Sequence, residues 1–124
     1  MKVVGLDYGA ARTGVAVSDP TGTVARPLTT VRHASTDAGF NELLMVIDSA
    51  EAELIVVGMP LTLRGEHGEQ ARETEAFVER LRTASRVPVA TYDERFTSVL
   101  ADGDDARAAA HLLSDYLQWN ANTS

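Results

Sequence analysis

The segment Leu54-Ile55-Val56-Val57-Gly58 constrains the fold more than any other stretch of the chain, because it contains no polar side chain. Strand side chains alternate between two faces, so a run that is apolar on both is stable only in a sheet covered on both sides. Lys2 to Asp7 (KVVGLD) reads as a second buried strand, and Val87 to Tyr92 as another. Two stretches carry helical spacing instead. Thr36 to Ala52 places Phe40, Leu43, Leu44 and Ile47 on one stripe, and Ser35, Thr36 or Asp37 can cap its start. Glu69 to Ala84 turns Ala71, Thr74, Phe77, Val78 and Leu81 inward.

The remaining segments complete the pattern. Gly9 to Arg12 is a turn that joins the first strand to Thr13–Ser18 as a hairpin. Thr23 to Val31 is a weaker strand whose Pro27 suits an edge position. Asp105 to Gln118 closes the described pattern as a helix. Three strands, then helix, strand, helix, strand and helix imply an α/β domain over residues 1–124, with a five-stranded mixed sheet flanked by helices.

Composition narrows the function classes. Of 124 residues 44% are hydrophobic, enough for one core, and no run approaches the roughly 20 apolar residues of a membrane span. No secretory leader is evident, because Asp7, Arg12 and Asp19 interrupt the first twenty residues. The chain has no cysteine, which excludes disulfides and thiolate metal sites and points to the cytoplasm. The net charge of −7 argues against a broad electrostatic footprint on nucleic acid. It leaves room for a metal-dependent nuclease, since carboxylates that hold hard cations are acidic by necessity.

Three acidic positions stand where an α/β sheet builds sites. Asp7 ends the first strand and Asp93-Glu94 the last, and functional groups of open sheets gather at the carboxyl ends of strands. Asp105 opens a stripe that continues through Ala109, Leu112, Leu113 and Tyr116. The apolar members must face the sheet, so Asp105 faces it too. Carboxylates that converge repel and resist burial unless a cation joins them. A pair of Mg²⁺ or Mn²⁺ ions held by Asp7, Glu94 or Asp93, and Asp105 would satisfy them. Plainer roles compete: Asp105, beside Asp104, suits a helix cap, Asp7 a turn and Asp93-Glu94-Arg95 a solvated loop. Arg12 and Arg95 follow acidic strand ends, where a guanidinium can grip a phosphate, or else pair with Asp19 or Glu94. Gly58-Met59-Pro60-Leu61 and Gly65-Glu66-His67-Gly68 flank a helix entrance that can hold phosphate but is more simply a loop. His33, His67 and His111 lack metal-ligand spacing, and Ser18 has no visible base partner.

Taken in order, these motifs resemble the YqgF family, bacterial nucleases with a ribonuclease H-like, Holliday-junction-resolvase-like fold. The opening signature stands as Gly5, Asp7, Gly9, Arg12, Gly14, Ala16, Ser18 and Asp19, and the G-x-P element as Gly58-Met59-Pro60. Asp93-Glu94-Arg95-Phe96-Thr97-Ser98 supplies the D-E-R element. Asp105, Ala108, Ala109, Leu112, Leu113, Tyr116 and Leu117 supply the closing helix. The resemblance implies catalytic Asp7, Asp93, Glu94 and Asp105, with Asp7, Glu94 and Asp105 on metal. It implies substrate contacts from Gly9, Arg12, Arg95 and Thr97. The implied substrate is the pre-16S ribosomal RNA, bare or in a pre-ribosomal particle, with branched DNA as the alternative, for a monomer or homodimer away from membranes. One departure stands out: only Val99 to Asp104, without a basic residue, bridge Ser98 and Asp105, where similar proteins carry a Lys/Arg-rich stretch.

Two other classes share parts of the pattern. Actin-like sugar kinases also open with D-x-G after a first strand, but they close a second domain over ATP. An inert nucleic-acid-binding module would keep the fold and lose the metal chemistry.

Overall fold

A computed structural model describes residues 1–60, 68–94 and 104–123. Strands β1 (Val3–Asp7), β2 (Arg12–Ser18) and β3 (Ala25–Arg32) are followed by α1 (Asp37–Ser49), β4 (Leu54–Met59), α2 (Glu69–Ala84), β5 (Val89–Asp93) and α3 (Asp105–Thr123). The sheet has five strands in the order β3-β2-β1-β4-β5. β1 pairs antiparallel with β2 and parallel with β4, β2 is antiparallel to β3, and β4 is parallel to β5. The mixed sheet, the edge position of β3 and the helix order match the sequence reading.

Alternation along the strands divides the core in two. Val4, Leu6, Val15, Val17, Ile55 and Val57 pack with Phe40, Leu43 and Ile47 of α1 and Phe77, Val78 and Leu81 of α2. Val3, Ala16 and Val56 turn the other way and pack against Ala109, Leu113 and Leu117 of α3. The apolar run of β4 is therefore apolar because both of its faces are covered.

Element ends differ from the sequence reading for local reasons. Thr36 alone caps α1, its Oγ1 accepting from the Gly39 amide at 3.2 Å. The same helix stops at Ser49, and Glu51 beyond it takes a positive φ of 55°. Pro27 sits opposite Ala16, where the β2–β3 register shifts, so the missing amide falls at an irregularity. β5 begins at Val89 and α3 runs on to Thr123.

Candidate active site

The parallel strands β1, β4 and β5 finish at one end of the sheet. Asp7, the last residue of β1, shares the α3 face with Val3, because side chains two apart point the same way. Its register partner on β2 is Gly14. A side chain at Gly14 would place Cβ 1.8 Å from the Asp105 carbonyl oxygen, so the start of α3 lies directly on this glycine. That contact delivers Asp105 to the strand end occupied by Asp7.

Glu94, one residue past β5, joins them by a similar device. A Cβ at Gly58 would fall 2.6 Å from Glu94 Oε2 and 2.7 Å from Leu112 Cδ2, so the carboxylate lies over the glycine between β4 and α3. Asp93, grouped with Glu94 in the sequence reading, is placed apart. Strand alternation turns it to the opposite face, into a cleft with Met59, Glu75, Val78, Glu79, Arg82 and Thr91.

Electrostatics couple the grouped acids. Burial raises the Asp7 pKa above the usual carboxylate range, and the Asp105 charge raises it further. Glu94 is pushed up to about 7, by burial first and then by Asp7 and Asp93. Among the described residues, Arg12 brings a positive charge to the group, its Nε 3.2 Å from Asp105 Oδ2. Arg12 thus pairs neither with Asp19 nor with Glu94. Asp19 is consumed by the β2–β3 loop, where it accepts from the Thr23 and Val24 amides at 2.8 Å each and from the Thr21 hydroxyl.

The helix cap falls to the neighbour: Asp104 Oδ1 accepts from the Arg107 amide at 3.2 Å, which leaves the Asp105 carboxylate for the sheet side. Gly9 serves its turn, accepting from Thr13 Oγ1 at 3.2 Å. Ser18 is buried and structural: Oγ accepts from the Val3 amide at 2.8 Å. Arg95, Thr97, Gly65 and His67 lie outside the described residues.

Among the described residues, no three His, Asp or Glu side chains form a ready-made metal cluster. The donor chemistry nevertheless fits a hard cation. Asp7, Glu94 and Asp105 offer only carboxylate oxygens, the donors hard cations prefer. Burial together with mutual repulsion disfavours the charged forms of Asp7 and Glu94 in a way that a nearby cation would offset. Sequence reasoning placed Gly14 and Gly58 in motifs but did not give them the role of seating α3 and Glu94. The available signal was their position, since a glycine inside a strand marks close approach by another group.

A family model described as RuvX, Holliday junction resolvase, matches residues 1–119. A Chloroflexus aggregans protein named as a candidate pre-16S rRNA nuclease is 36% identical over an alignment covering 97% of this chain and 95% of the relative. That alignment spans 135 positions, more than this chain's 124 residues, so the relative carries residues that this chain lacks. Among solved structures, T. thermophilus RuvC in complex with a Holliday junction substrate superposes with a TM-score of 0.63 at 18% identity, covering 99% of this chain and 97% of RuvC. The ROK hexokinase from Thermus thermophilus superposes at 0.53 and 23% identity, covering 82% of this chain but 37% of the hexokinase. Both likenesses are of fold. The strand-end aspartate, the docked closing helix and a match over nearly the whole sequence together place the chain in the RuvX family, the YqgF proteins of the sequence reading.

Proposed function

We propose that this chain is a metal-dependent nuclease that hydrolyses phosphodiester bonds in RNA during maturation of pre-16S ribosomal RNA in the cytoplasm. The observation that carries this reading is the placement of Asp7, Glu94 and Asp105, three acids from distant parts of the sequence, on one face at the carboxyl end of the sheet, where the Asp105 charge acts on Asp7 and the Asp7 charge on Glu94. A structural role gives no reason to collect them, because each raises the cost of ionising the next.

Asp7, Glu94 and Asp105 would hold Mg²⁺ or Mn²⁺, which supplies Lewis-acid polarisation of the phosphoryl oxygen and an acidified water. The protein's own residues do the rest. Gly14 and Gly58 fix the spacing of the carboxylates by letting α3 and Glu94 close on the sheet. Arg12 is more than half exposed, with guanidinium donors beyond its bond to Asp105 that can take a phosphate oxygen. Asp93 stands on the other face and adds negative charge near Glu94 without joining the group. Substrate affinity rests on these local contacts, because a net charge of −7 gives little long-range attraction.

The family description favours a second substrate, four-way DNA junctions. Labelled pre-16S rRNA, single-stranded RNA and four-way DNA junctions, each incubated with Mn²⁺, test the reading. Cleavage of the RNA alone supports it, and junction cleavage alone replaces it with a resolvase. Tight binding without cleavage of any of them reduces the chain to a binding module.

A further inference from the structure

A cleft of about 360 Å³ opens at the same end of the sheet, on the face opposite Asp7, lined by Tyr8, Ala34, Ser35, Glu73, Phe77 and Arg80 among others. Its size lies within the roughly 300–1,000 Å³ of small-ligand sites. Tyr8 directly follows Asp7, so the aromatic ring is rooted about 3.8 Å along the backbone from the first site carboxylate.

Contacts among the lining side chains tie the cleft together. The Tyr8 ring stacks on Phe77 with centroids 4.2 Å apart and planes 17° apart, and Phe40 braces Phe77 edge-on at 6.2 Å. Arg80 lies over the Phe40 ring at 4.1 Å and is tied to Asp37 Oδ1 at 2.6 Å and to the Ser35 carbonyl at 3.5 Å. Asp37 already takes the Arg80 charge, and Glu73 adds a carboxylate to the lining, so the cleft offers a phosphate little. It suits a flat, uncharged ring instead: an aromatic surface for stacking, small alanine walls, and a carboxylate able to accept from an exocyclic amino group.

We propose that the Tyr8 cleft is a base-stacking subsite that receives the nucleobase of an RNA nucleotide next to the cleaved phosphodiester. The proposal rests on the nuclease reading for its substrate. Strand and cleft fit by geometry: the phosphate would lie at Asp7, while the adjoining base crosses the strand end to Tyr8. Single-stranded RNA is commonly held by stacking of this kind, and one lost stack costs roughly tenfold or more in affinity.

The test uses a short single-stranded RNA carrying 2-aminopurine at successive positions, with wild-type, Tyr8→Leu and Tyr8→Phe proteins. Leucine keeps apolar packing on Phe77 and removes the stacking surface, while phenylalanine keeps both. One position should be quenched on wild type and Tyr8→Phe and not on Tyr8→Leu, with affinity reduced roughly tenfold in the last. An abasic nucleotide at that position should cost wild type the same and cost Tyr8→Leu nothing more. Quenching that survives Tyr8→Leu, or losses that add independently, overturns the subsite. Titrating adenosine monophosphate while following Tyr8, Phe77 and Arg80 by NMR separates the two claims. Shifts confined to this cleft, in a protein that cleaves no RNA, uphold the subsite and sink the nuclease reading. Cleavage with an unchanged KM in Tyr8→Leu does the reverse.

Discussion

Arg12 Nε and Asp105 Oδ2 stand 3.2 Å apart, and this pair joins the first hairpin to the last helix across the candidate site. An exposed guanidinium gains little from such a pair, about 0–1 kcal/mol, so its placement speaks more to substrate than to stability. Arg12→Ala should lower the melting temperature only slightly. It should weaken RNA binding and reduce the salt slope of that binding by about one. An unchanged slope, measured between low and moderate salt, would leave Arg12 as an ion pair and nothing more.

Asp7→Asn isolates the charge from the shape. Cleavage should fall more than a hundredfold, because metal-assisted charge stabilisation contributes several kcal/mol. Apo stability should hold or rise slightly, since a partly buried acid repelled by Asp105 becomes neutral. The increase in melting temperature conferred by Mn²⁺ should shrink. Rates and melting curves with and without Mn²⁺ decide it; full activity in the variant would falsify the catalytic role.

Glu94 predicts a pH dependence of the metal-free protein. Its pKa rises from 4.5 to about 7 on folding, so the folded state binds the proton more tightly than the unfolded state does. The group therefore costs nothing below about pH 4.5, and its ionisation destabilises the fold as pH climbs from there through 7. Melting temperature should decline across that window, and Glu94→Gln should flatten the decline while leaving the part due to Asp7. A wild-type curve that rises from pH 5 to 7.5 would contradict the burial of Glu94.

Gly58 and Gly14 separate positioning from folding. Gly58→Ala meets the Glu94 carboxylate and the Leu112 side chain, both of which can move, at a cost of about 1–3 kcal/mol. Activity should fall by at least tenfold as Glu94 is displaced. Gly14→Ala meets backbone, the Asp105 carbonyl, and cannot be relieved without shifting α3. It should destabilise the protein more than Gly58→Ala does, and should also reduce the protection of α3 amides from hydrogen exchange. Equal losses in the two variants would mean that the helix start is not seated on Gly14.

Much of the architecture was legible because burial leaves a pattern in composition. The apolar run of β4, the stripe of α2 and the inward line from Asp105 to Tyr116 each report which faces are covered, and the structure covers those faces. Asp7 was legible as a strand end. Which of Asp93 and Glu94 shares a face with Asp7 was not, because it turns on where β5 stops: a strand ending at Asp93 sends that residue to one face and the next to the other. The Arg12 partner was hidden for a similar reason, since Asp105 becomes its neighbour only through docking of α3 on Gly14. Local sequence encodes which surfaces are apolar more plainly than which distant residues meet.

The docking of α3 has a consequence for timing. Asp7 lies in the first strand and Asp105 at the start of the last helix, and synthesis proceeds from the amino terminus. Until α3 is made, the growing chain exposes Val3, Ala16 and Val56 and lacks one of its three grouped carboxylates. The step that shields this sticky face is the same step that completes the centre. A partly synthesised chain therefore holds at most two of the three carboxylates, and the finished protein acquires its closed interior and its full set in one event.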